Sequence, residues 1–111
     1  MATAIDPRQR FFTTRPSQDG RTRLRLANNL PDSVMTFSAL PESGSGKADA
    51  ILATGESRNL DISPGAFEIR ITVMTLGYPP ATISDRRFRM RMNAGTEYSV
   101  RLTQEVLQRV N

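Results

Sequence analysis

Cysteine, histidine and tryptophan are all missing from this chain, and each absence closes off a kind of chemistry. Without cysteine there are no disulfides, no thiolate nucleophile and no zinc ribbon. Without histidine, neither Ser-His-Asp nor Cys-His catalysis can be assembled within the chain, and the usual imidazole ligand of zinc and haem is lost. Aromatic residues make up only 6% of the sequence, which leaves little to stack on sugar rings or bases. Lysine is nearly missing too: of 15 basic residues, only Lys47 is not arginine. No run approaches the roughly 18 apolar residues of a membrane helix, so no membrane span is expected. Residues 1–8 lack the basic segment and apolar core of a secretory signal, so a cytoplasmic or virion location is expected.

What is present suits one globular domain. The 111 residues can bury one two-layer core, and an apolar fraction of 38% with 23% charged residues fits that class. The net charge is +4, and residues 1–25 account for it, with six arginines against Asp6 and Asp19. A GC-rich genome would produce such an arginine excess. So would selection for planar, multi-donor guanidinium groups at contacts with carboxylates, phosphates or aromatic faces.

Residues 63–74 organise the chain. After a Pro-Gly turn, Phe67, Ile69, Ile71 and Val73 alternate with Glu68, Arg70 and Thr72, the two-residue period of a half-buried strand. Similar alternation points Leu24 and Leu26 inward and Arg21, Arg23 and Arg25 outward. A second strand, 34–40, buries Met35, Phe37 and Ala39. Two short strands, 50–54 and 58–62, are joined by Gly55-Glu56-Ser57. Residues 87–92 turn Phe88, Met90 and Met92 inward and Arg87, Arg89 and Arg91 outward, and a turn at 93–97 makes a hairpin with 98–103. That last strand buries Tyr98, Val100 and Leu102 and exposes Arg101. Residues 104–111 extend it or form a helical turn.

About seven short strands without a convincing helix predict an all-β fold, a single antiparallel β-sandwich over residues 21–111. Residues 1–20 have neither periodicity and contain Pro7 and Pro16; they are read as an extended basic N-terminal arm outside the core. In architecture the chain resembles immunoglobulin-like and transthyretin-like sandwiches, without the Cys-Trp-Cys signature of the former.

No motif carries catalysis or a cofactor. Gly44-Ser45-Gly46-Lys47 resembles the end of a phosphate-binding loop, but Pro41 stands where the first glycine belongs and Ala48 where Ser or Thr would hold magnesium. The acids are scattered; Glu42, Asp49 and Glu56 could meet at one edge, and no calcium loop occurs. The expectation is no enzyme, no metal and no cofactor.

Arginine placement is the strongest functional signal. If their strands share a sheet, Arg21, Arg23, Arg25, Arg87, Arg89, Arg91 and Arg101 form one basic ladder, whose self-repulsion needs interleaved carboxylates or an external anion. In the arm, Phe11 and Phe12 with Arg8, Arg10 and Arg15 have the composition of an interface anchor. Together these imply a structural protein, a building block or decoration subunit of a larger virion or phage-like particle, oligomeric and docked on other protein subunits. One alternative is a ligand-binding module taking a glycan or other polar ligand on loops 28–33, 41–47 and 76–84, with Tyr78 for stacking. The other is nucleic-acid contact, through phosphates, by the arm and arginine face.

Overall fold

The computed structural model describes residues 11–43 and 47–110. Eight strands come in the order β1 (Phe12–Pro16), β2 (Arg23–Asn28), β3 (Ser33–Pro41), β4 (Ala48–Ala53), β5 (Ser57–Asp61), β6 (Gly65–Thr75), β7 (Thr82–Met92) and β8 (Thr96–Leu102). A helix, α1 (Gln104–Val110), follows. The strands form two four-stranded sheets, ordered β1-β8-β2-β5 and β4-β3-β6-β7. All neighbours are antiparallel except β2 and β8, which run parallel.

Alternation explains the core. β6 lies inside the second sheet, between β3 and β7, and its Phe67, Ile69, Ile71 and Val73 are buried. Met35, Phe37 and Ala39 of β3 face the same interior, as do Leu24 and Leu26 of β2 and Tyr98, Val100 and Leu102 of β8. Side chains on the period-two positions of both sheets thus meet between them, which is what makes a sandwich.

One end of the sandwich is closed by buried polar groups. The Asn28 side chain is fully buried; its amide nitrogen donates to the Leu52 carbonyl (3.1 Å) and to Ser33 Oγ (3.1 Å), and its oxygen accepts from the Leu30 amide (3.1 Å). Thr54 Oγ1 donates to the Leu30 carbonyl (2.7 Å) and accepts from the Ser33 amide (3.1 Å). Every member has a partner, so the network joins β2, β3 and β4 rather than penalising their burial.

Three expectations change, and one left open between two outcomes is decided. There are eight strands, not seven, because residues 12–16 of the supposed arm are β1, paired with β8 from Phe12↔Val100 to Pro16↔Thr96. The sandwich therefore begins before residue 21. Second, β7 starts at Thr82, well before Arg87, since only the stretch around Pro79 and Pro80 is unable to pair. Third, β7 and β8 are not a hairpin: they belong to different sheets, and the turn at 93–95 crosses between layers. Asn93 anchors that crossing, its amide donating to Tyr98 Oη (2.7 Å) and its carbonyl accepting from Thr22 Oγ1 (3.2 Å). Finally, the tail is helical. Thr103 Oγ1 caps it by accepting from the Val106 amide (3.2 Å), and Val106 and Leu107 are buried. Among the described residues no helix is long and apolar enough to cross a membrane.

Candidate partner-binding faces

The aromatic pair expected to anchor a neighbour is used at home. Phe11 and Phe12 are 4% and 6% exposed. Phe11 stacks on Phe88 with ring centroids 6.2 Å apart, and Phe12 meets Phe88, Phe37 and Tyr98 edge-on at 6.2, 6.3 and 6.3 Å. β1 and β7 are the edges of the two sheets on this side, and the aromatic cluster fills the opening between them. An aromatic pair beside a five-residue strand gains more area inside its own core than on a flexible leader. Of the other proposed anchor residues, Arg15 projects from β1 toward Glu97, while Arg8 and Arg10 lie outside the described residues.

The seven-arginine ladder is divided. Arg23 and Arg25 on β2 and Arg101 on β8 occupy the outward face of the first sheet, with Arg21 just before β2. Arg87, Arg89 and Arg91 are on β7, an edge of the second sheet, facing the other way. The single basic face expected from alternation is therefore two faces on opposite sides of the sandwich. Alternation along a strand says nothing about which sheet that strand joins.

On the first sheet, the register sets up an alternating row across all four strands: Arg15, Glu97, Arg23 and Asp61. Arg15 Nε donates to Glu97 Oε1 (2.8 Å), and Arg25 Nε approaches the same oxygen at 3.2 Å. Glu97 is only 5% exposed beneath these two guanidinium groups, although it sits on an outward face. Arg23 is shared between Asp19 and Asp61, and Arg21 lies 3.9 Å from Asp61. Like charges are thus separated by carboxylates, as cross-strand repulsion demands.

The next two rows hold no acid: Thr13, Ser99, Arg25 and Asn59, then Arg101, Ala27 and Ser57. Small residues among long arginines leave a trough of about 670 Å3 with Arg15, Arg25 and Arg101 on its walls. On the second sheet, Arg70 makes a two-pronged pair with Asp85 (Nε to Oδ1 3.1 Å, Nη2 to Oδ2 2.9 Å). Hydrogen bonding by Arg70, helped by Thr72, holds the Asp85 carboxyl below the usual carboxylate range, and Asp85 raises Arg70 in turn. Arg89 is 3.8 Å from Glu42. Among the described residues, Arg87, Arg91 and Arg101 form no ion pair.

Glu97 and the small residues of the trough went unnoticed in the sequence. Glu97 reads as the end of a turn, yet it shares the odd-numbered, outward parity of Ser99 and Arg101. Extending the strand by two residues would have exposed it as the ladder's counter-charge.

The other candidate sites come apart. Residues 28–33 and 76–81 meet, the Leu76 amide donating to the Asp32 carbonyl (3.0 Å), and Tyr78 is fully exposed beside them. Loop 41–47 leaves the opposite end of β3, where the Glu42 amide bonds the Ala66 carbonyl, so three loops do not form one ligand site. Gly44, Ser45 and Gly46 lie outside the described residues. Glu42, Asp49 and Glu56 do not converge: they turn to Arg89, Lys47 and the Ala53 amide respectively. Among the described residues no three acids cluster as a metal site. Compared with protein-family models, curated proteins and solved structures, the chain matches none.

Proposed function

We propose that this chain is a non-enzymatic structural protein, a β-sandwich building block or decoration subunit of a larger particle such as a virion or phage-like assembly. The observation that supports it most is that both outward sheet faces carry arginines that form no ion pair among the described residues: Arg101 on one, Arg87 and Arg91 on the other. Arginine is enriched in protein interfaces, where its planar fork meets carboxylates two bonds at a time. Two different basic faces on opposite sides let one subunit touch two neighbours, each bringing acidic groups to the contact. In this reading the docking role passes from Phe11 and Phe12 to the arginine-bearing sheets.

A finer fold type goes with the proposal. Immunoglobulin domains keep their first two strands in one sheet. Here β1 and β2 likewise share a sheet, while β2 and β3 lie in opposite sheets, so the chain keeps that feature when β1 is counted as its first strand.

Sedimentation of native extracts tests the assembly reading. The chain is expected in high-mass fractions at low salt, released by Arg87→Glu with Arg91→Glu or by Arg101→Glu, and unaffected by nuclease. Release by nuclease would favour the nucleic-acid alternative, since phosphate contacts would then hold it. A chain found only at monomer mass would overturn the assembly reading.

A further inference from the structure

We propose that the trough on the outward face of the first sheet binds an extended acidic peptide segment, with Arg25 and Arg101 each taking one of two carboxylates placed two residues apart. This rests on the assembly reading for its biological setting and adds the chemistry and place of one docking site.

The floor is made by small side chains. Ala27 on β2 lies opposite Arg101 on β8, and Ser99 on β8 lies opposite Arg25 on β2. Each arginine therefore stands beside a small residue on the neighbouring strand, and the two guanidinium groups rise from diagonal corners of a shallow floor. One strand spacing and two residues separate their origins, roughly 8 Å between Cα atoms. An extended peptide repeats its side chains on one face at about 6.8 Å, so alternate carboxylates match that separation where adjacent ones, on opposite faces, do not.

Charge favours the same occupant. No acid lines the trough, and Glu97, in the neighbouring row, is already covered by Arg15 and Arg25 and only 5% exposed. Beyond that row the trough presents arginines with the hydroxyls of Thr13, Ser57 and Ser99 and the amide of Asn59. Such groups both donate and accept, as a peptide backbone requires. No aromatic side chain lines it, which removes the stacking surface that a sugar ring or a base would use.

Calorimetric titration of the full chain at low salt tests this with three probes: a capped octapeptide of alternating Glu and Thr, its isomer with four consecutive Glu, and a sulfated disaccharide. The alternating peptide should bind best, and each guanidinium removed, Arg101→Gln or Arg25→Gln, should weaken it about tenfold. Ala27→Leu, which keeps every arginine but fills the floor, should abolish binding while the circular dichroism stays that of the parent. Arg87→Gln with Arg91→Gln, on the far sheet, should leave the affinity within about twofold, as distant sites act independently. Absence of binding, equal binding of the two peptides, tighter binding of the sugar, or an equal loss in the far-sheet variant would each overturn the proposal. Peptide binding by a chain that never enters large particles would leave the trough standing and remove the assembly reading. High-mass sedimentation without peptide binding would do the reverse.

Discussion

Arg-Leu-Arg-Leu at residues 23–26 and Arg-Met-Arg-Met at 89–92 read alike, yet the fold treats their arginines differently. β2 is an inner strand, and each of its neighbours brings a carboxylate to its arginines: Glu97 from β8 to Arg25 and Asp61 from β5 to Arg23, with Asp19 added to Arg23 from the preceding turn. β7 is an edge, paired among the described residues with β6 alone. β6 places Glu68 opposite Arg89, whose ion pair is the long one to Glu42 (3.8 Å), and only Ala66 opposite Arg91; Arg70, opposite Arg87, takes up Asp85, the one acid on β7. Alternation decides which way a side chain faces; the adjacent strand decides whether its charge is matched. Where there is no adjacent strand, unmatched arginine also discourages edge-to-edge pairing with another chain.

Truncating the apolar partners of these arginines gives the largest expected difference between the two strands. Leu26→Ala, at an inner position 1% exposed, should destabilise by about 4 kcal/mol, and Met90→Ala, 6% exposed on the edge strand, by about 2 kcal/mol. Urea unfolding measures both. Equal losses would mean that β7 is packed as tightly as β2 and that its edge position is nominal.

That contrast also marks how much was legible in the sequence. Which residues face inward could be read along β2, β3, β6, β8 and the second half of β7, because burial imposes period two on the chain itself: Leu24, Met35, Ile69, Met92 and Val100 all lie where alternation puts them. Sheet membership could not, since it depends on how turns such as 93–95 cross between layers, and those crossings leave no periodic trace. β1 escaped because five residues ending in Pro16 show too short a pattern, and only Phe88 and Tyr98 across the gap explain Phe11 and Phe12. The candidate site suffered from the same blindness: outward arginines were legible, whereas the division between two faces, the role of Glu97 and the trough floor all follow from pairing.

A smaller effect separates the carboxylates of the two faces. Glu97→Gln leaves Arg15 and Arg25 side by side over a nearly buried neutral amide. Because both arginines remain about half exposed, solvent softens the loss to about 1–2 kcal/mol. Asp85→Asn, on an exposed pair, should lower the melting temperature by clearly less. The Glu97 variant should lose part of its deficit in high salt, as repulsion between the two arginines is screened. A larger shift for Asp85→Asn than for Glu97→Gln would reverse the ranking of the two faces.

The smallest effect expected is a change in pH dependence, and it belongs to the third carboxylate that serves β2. The Ser17 hydroxyl donates to Asp19 Oδ1 (2.7 Å), and the Arg21 amide donates to the same oxygen (3.1 Å). These bonds, with the charge of Arg23, lower its pKa from 3.8 to about 2. A carboxylate whose folded pKa is depressed contributes stability that is complete above its unfolded value and is lost as pH falls through the folded one. For Asp19 that window runs from just above pH 4 down to about pH 2. Asp19→Asn should therefore lower the melting temperature slightly at pH 6 and flatten its decline between pH 4 and 2, where Asp85 still contributes in both proteins. Parallel acid declines for parent and variant would show that the turn before β2 exerts no electrostatic hold on it, leaving Asp61 to match Arg23 by itself.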